Sequence, residues 1–173
     1  MKIDFKNIPK YTSYGSYTID LGWDYLQEWI NSHQIDLNPD FQRAHVWTLE
    51  QKTAYIEFCL RGGRSTNPLL FNCPGFRDGI RDDFVVVDGK QRIHAVLQFL
   101  NNDFPVFLYY CHKDIVGFPI HSNSTSFKVH VNNLKTRAEV LKWYIETNAG
   151  GTPHTEEEIE KVRKMLSLEI KGN

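Results

Sequence analysis

Hydrophobic positions in this chain switch between a two-residue and a helical period, and the switches mark its elements. "YTSYGSYTIDL", Tyr11 to Leu21, alternates loosely and predicts one short strand. Trp23, Leu26, Trp29 and Ile30 recur at helical spacing and predict an amphipathic helix over residues 23–33. "IDLNPDFQRAHVW" follows as an extended segment, broken where Pro39 pushes Asn38 out of the α region. Thr48 and Gln51 form a capping box for a helix over about 49–61, with Leu49, Ile56, Cys59 and Leu60 inward. Gly62 and Gly63 stop it. "PLLFNC" reads as a strand, "PGFRDGIRDD" as a loop and "FVVVD" as the next strand. The continuous apolar run of that strand predicts burial on both faces.

Ile93, Val96, Leu97 and Leu100 form the stripe of a helix over about 90–101. "FPVFLYY" and "FKVHVNN" are further strand candidates. Residues 137–147 predict a helix with Leu141, Tyr144 and Ile145 inward, ended by "NAGGTPH". Thr155 and Glu158 open a last helix by a second capping box, with Ile159, Val162, Leu166 and Ile170 inward. Strands and helices mix along the chain without repeats, which predicts an α+β domain.

Composition narrows this picture. At 173 residues the chain suits one domain, and 41% apolar residues fill a core. The formal net charge is -1, so a nucleic acid would have to be held by a local basic patch. Cys59, Cys73 and Cys111 form no CxxC pair, which argues against a zinc ribbon or a disulfide framework. The seven histidines form no HxxxH or HExxH pair, so no dedicated zinc site is expected. No apolar run approaches the roughly 18 residues of a membrane span. The amino end, "MKIDFKNIPKY", does not read as a signal peptide. The expectation is a cytoplasmic protein of a bacterium or a phage-infected cell.

Candidate chemistry gathers where "VVVDGKQRIHAV" passes from strand to helix. The first N–H groups of a helix lack internal partners and its dipole is positive there, so this end attracts an anion. Gly89 permits a tight turn and close backbone approach. Lys90 and Arg92 would add charge near a phosphate. Asp88 could hold a divalent metal or accept a proton. The alternative is a helix capped by Asp88 with a solvated first turn. Against it, cations in a first turn oppose the dipole.

Other segments carry similar pairs of readings. "NPDFQRAHVW" combines Asp40, Gln42, Arg43 and His45 with Phe41, Val46 and Trp47. Alternation sends Phe41 to one side and Gln42 to the other, and a water-facing edge is the plainer reading. Asn148, Gly150 and Gly151 form a helix stop, with His154 ahead of the next helix. Arg61, Arg64, Arg77 and Arg81 cluster around Phe76, as a DNA-backbone track with a stacking ring or as a solvated loop.

"PDFQRAHVW", "LRGG", "FNCPG", "VVDGKQR" and "NAGGTPHTEEE" occur in that order. Together they resemble the amino-terminal domain of GmrSD-type modification-dependent restriction enzymes and its short phage and prophage relatives. The resemblance covers about Asn38 to Leu166. The family's Asp-Gly-Gln-Gln-Arg signature stands here as Asp88, Gly89, Lys90, Gln91 and Arg92, with Lys90 departing from the commonest form. The resemblance implies a ParB/sulfiredoxin-like fold, a mixed sheet with flanking helices and a carboxy-terminal helical pair. It implies a single domain over 1–173, with a nucleotide-binding core at 1–134 and a helical extension at 135–173.

The same resemblance implies a nucleotide-handling enzyme that acts on or beside DNA. The first expectation is an NTP-dependent phosphotransferase, kinase-like on DNA or a modified base, or an NTPase, with ATP or another NTP and Mg2+. Asp88, Asp40, Arg43 and Arg92 would be catalytic, and Asp88 would hold the metal. Gly89, Lys90, Gln91, Arg92, Gln42 and Arg43 would hold the nucleotide. Arg61, Arg64, Arg77 and Arg81 would contact DNA, with no membrane partner. The full restriction enzymes carry a separate His-Asn-His-type nuclease domain, for which residues up to Asn173 leave no room. A metal-dependent nuclease or nickase built on this domain alone is the second expectation. A non-catalytic DNA- or protein-binding module is the third.

Overall fold

A computed structural model describes residues 4, 8, 16–42, 47–65, 67–76, 84–118, 124–148 and 156–171. Its strands are β1 (Tyr17–Gly22), β2 (Leu69–Asn72), β3 (Val85–Asp88) and β4 (Ser126–Asn132). Its helices are α1 (Trp23–Ser32), α2 (Leu49–Leu60), α3 (Lys90–Leu100), α4 (Arg137–Asn148) and α5 (Glu156–Lys171). The fold is α+β, with one four-stranded mixed sheet in the order β1-β4-β2-β3. β4 runs antiparallel to β1 and parallel to β2, while β2 and β3 are antiparallel.

Local chemistry explains most boundaries. The Thr48–Gln51 capping box is formed in full at the start of α2. At its end, Gly62 N–H reaches Cys59 O and Gly63 N–H reaches Phe58 O, the two bonds of a Schellman stop. Gly62 supplies the positive φ of +91° that this stop requires. Thr155, and with it the second capping box, lies outside the described residues.

The α1 stripe buries all four residues expected of it, and α3 buries Ile93 and Val96 with Ala95 and Phe99. Val86 packs into the main core beneath α1, α2 and α3, and its neighbour Val87 packs into a second core. That second core joins Phe41, Leu134, Val140, Leu141, Trp143, Tyr144 and Val162. The strand is therefore covered on both faces although it lies at a sheet edge. The short segment at Asp36 covers that edge through Asp36 N–H to Phe84 O (2.8 Å) and Val86 N–H to Asp36 O (3.0 Å).

Three expectations change. Leu49 is 54% and Ile170 65% exposed, so neither joins the core side of its helix. "FPVFLYY" is not a strand. Val106 and Tyr110 form an isolated bridge that closes a tight turn on itself, so the apolar run has no ladder to join. Among the described residues, no helix is long and apolar enough to cross a membrane.

His130 marks the seam between sheet and α4. Its Nδ1 lies 3.2 Å from Thr18 Oγ1, its ring faces Trp143, and its Nε2 is buried without a hydrogen-bond partner. Burial holds its pKa below the ordinary 6.5, and burial with Lys90 and Lys52 does the same for His94. As pH falls below 6.5, the unfolded chain takes up these protons before the folded one. Stability should thus be full above that value and fall toward pH 5, by at most about 1.4 kcal/mol per pH unit per histidine. Urea midpoints between pH 7 and 5 test this, and His130→Gln should flatten the slope.

Candidate functional site

β3 delivers Asp88 to the site through an irregular ladder. Phe71 pairs with Val86, but Leu70 pairs with Asp88, so β3 carries one extra residue there. Such a bulge bends a strand and re-aims its side chains. Gly89 follows at φ +100°, where an added Cβ would lie 2.2 Å from Leu69 Cδ2. Glycine is thus required twice, for the left-handed backbone and for the space.

Gly89, not Asp88, is the N-cap of α3, and among the described residues no side chain caps this helix. Asp88 instead turns to Arg92, with Oδ2 accepting from Nη2 at 3.0 Å. The capping alternative left open by the sequence is therefore not what the chain does. Lys90, the first helical residue, is only 6% exposed. Burial pushes its ammonium below the usual lysine range, while the Asp36 carboxylate acts in the opposite direction.

The second segment meets this junction. Gln42 Nε2 donates to Val86 O at 2.8 Å, and Trp47 N–H donates to Gln91 Oε1 at 3.2 Å. Phe41 turns the other way, edge-on to Tyr144 in the second core, as alternation predicts. Between these groups lies a cavity of about 50 Å³, lined by Gln42, Val87, Asp88, Gly89, Lys90, Gln91, Tyr144 and Asn148. It has room for a few waters.

Several sequence candidates sit elsewhere. Arg92 does not line the cavity. It also donates to Ser65 Oγ (2.8 Å), Pro68 O (3.1 Å) and Asn67 O, clamping the loop after α2, and its side chain is 12% exposed. Asp40 is an exposed surface carboxylate held by both oxygens on Arg137, which also pairs with Glu169. Arg43 lies outside the described residues, as do His45, Arg77, Arg81 and His154. Arg61 and Arg64 are exposed, but the ring beside Arg61 is Phe107 at 5.1 Å. Phe76 packs against Tyr17 and the main core.

The sequence did not single out Tyr144, and it read Asn148 as a helix stop. Tyr144 is 3% exposed, and its helical position reads as ordinary core. Asn148 Nδ2 caps back to Tyr144 O at 2.8 Å. No local pattern signals that α4 supplies a wall of the cavity. The unbroken register of Tyr144 and Asn148, one turn apart, is the only trace.

The donor set suits an anion better than a lone metal ion. Among the described residues Asp88 is the single carboxylate in the lining, it is shared with Arg92, and a lysine is buried beside it. Among the described residues, no three His, Cys, Asp or Glu gather as a metal site. Magnesium needs one or two carboxylates when substrate phosphates supply the rest of its shell. Asp88 fits that shared role.

The family model described as the GmrSD restriction endonuclease, N-terminal domain, matches residues 26–133, more than half of the chain. No curated protein and no solved structure matches the chain. The matched stretch includes Gln42 and the whole Asp88–Arg92 junction. It ends before α4, so Tyr144 and Asn148 lie beyond it.

Proposed function

This chain belongs to the GmrSD restriction endonuclease N-terminal domain family, and from that premise we propose that it is an enzyme acting on DNA that transfers the terminal phosphoryl group of an NTP to it, or hydrolyses the NTP. Family membership itself implies a restriction-related role on DNA. The observation that carries the finer reading is the buried Lys90 at a helix amino terminus that no described side chain caps, in one cavity with Asp88 and Gln42.

A terminal phosphoryl group would sit at that cavity, with sugar and base outside it. The dipole of α3 and the Lys90 ammonium would neutralise its oxygens. The Gln42, Gln91 and Asn148 amides line the cavity and would orient it. Asp88, a third exposed with one oxygen fixed by Arg92, would take the proton from the attacking water or hydroxyl. Asp88 is the residue that would hold magnesium, and the ion would supply charge neutralisation. Positioning and electrostatics of this kind supply most of the catalysis in phosphoryl transfer.

Incubation of the full chain with terminally labelled ATP, magnesium and DNA bearing normal or hydroxymethylated bases tests the proposal. Free phosphate or labelled DNA is expected, and Asp88→Asn should lower either by about 10²–10⁴-fold. Neither product from the parent chain would overturn it. The family's restriction enzymes favour a second reading, a metal-dependent nuclease using Asp88. It requires relaxation of a supercoiled plasmid, abolished in the same variant.

A further inference from the structure

The turn that replaces the expected "FPVFLYY" strand is built at a cost. Phe107 and Leu108 stand at φ +48° and +72°, consecutive left-handed residues that both carry a side chain. Such conformations persist only where surrounding contacts over-determine them, and they gather at functional positions. Here the contacts are explicit. Val106 N–H reaches Tyr110 O at 2.8 Å, and Tyr110 N–H reaches Val106 O at 3.0 Å. Glu57 Oε1 of α2 accepts from Phe107 N–H at 2.6 Å, and Arg61 lies over the Phe107 ring.

This rigid base holds apolar groups out in water. Leu108 is 80% exposed, Tyr109 77% and Tyr110 51%. A turn chosen for folding alone would place glycine or asparagine at positive φ and polar residues at its tip. Exposed cations flank it: Arg61 over the Phe107 ring, and Lys113 in the short turn that follows. The acids Glu57 and Asp114 are committed to the backbone N–H groups of Phe107 and Cys111.

Flat or branched apolar side chains on a stiff tip, rimmed by cations, match a partner with stacked rings and a polyanionic backbone. We propose that the Phe107–Tyr110 tip is a DNA wedge. Leu108 and Tyr109 enter at a base step and unstack it, while Arg61 and Lys113 hold the flanking phosphates. The inference rests on the reading that the chain acts on DNA. It adds a contact beside the last turn of α2, where Glu57 and Arg61 meet Phe107.

The test uses the full chain and a short duplex carrying 2-aminopurine, whose fluorescence rises when it is unstacked, with anisotropy reporting affinity. Binding with a fluorescence rise is expected for the parent. L108A/Y109A should bind about ten- to a hundredfold more weakly without the rise, and Y109F should keep both. Circular dichroism and thermal melting confirm folding, and Y109A alone serves if the double variant does not fold. Binding by the parent with no fluorescence rise, or equal affinity in the folded variants, overturns the wedge and leaves the DNA reading standing. No binding by the parent to any duplex overturns both. A tip variant that changes only the sedimentation of the chain overturns the wedge in favour of a protein contact.

Discussion

A Lys90→Met variant is expected to stay folded at pH 7 and to lose about 10²–10³-fold in nucleotide-dependent turnover. The two effects have one cause. The Lys90 side chain is buried, and desolvation of its ammonium is the largest influence on it. Methionine keeps the length and apolar stem and removes the charge that burial disfavours. Asp36, which favours the ammonium, is itself exposed and stays solvated when that charge goes.

The sign with pH follows. The folded pKa of Lys90 lies below the ordinary 10.5, so the unfolded chain holds its proton to higher pH. Stability should therefore rise as pH climbs from the folded value through 10.5, and that rise should vanish in Lys90→Met. Urea unfolding at pH 7 and at higher pH, alongside a turnover assay, reads both. A variant that is destabilised but still turns over would make Lys90 a structural cation and remove the anion site.

Arg92→Ala should act through the fold. It strips donors from Asp88 Oδ2, Ser65 Oγ, Asn67 O and Pro68 O together. Hydrogen bonds to a charged group contribute about 1.5–3 kcal/mol, and the loss of this part-buried set should cost about 3 kcal/mol. In a chain of this size that lowers the melting temperature by roughly 10 °C. Arg92→Lys keeps the charge but loses the planar fork, so it should recover only part of the loss. Below its melting transition, Arg92→Ala should still bind ATP, because its guanidinium does not line the cavity. Normal melting with lost ATP binding would return Arg92 to the phosphate-gripping role that the sequence suggested.

Arg92 and Phe76 show where reading residues in a row runs out. An arginine in the first turn of a helix reads as free charge, yet three of its acceptors come from residues 65–68, more than twenty positions away. Phe76 reads as a ring beside arginines, yet the ring that meets Arg61 belongs to residue 107. By contrast, the α2 capping box and the α1 stripe depend on neighbours within one or two turns, and both formed as read. Gln42 is intermediate. Alternation sent it opposite Phe41, and only the pairing of residue 36 with β3 decided that this side was the cavity.

The linear chain alone settled the class of fold, the ends of α2, the stripe of α1 and the presence of a strand–glycine–helix junction with buried-type flanks. Caps, periods and glycine's freedom are short-range properties, expressed wherever those residues stand. Three-dimensional packing decided the order of the sheet, the commitment of Arg92 to a loop, the burial of Lys90 and the entry of Tyr144 and Asn148 into the cavity. It also turned an apparent strand into an exposed apolar tip. Each of these depends on which distant surface arrives to exclude water or to accept a hydrogen bond, and a residue's own neighbours do not specify that surface.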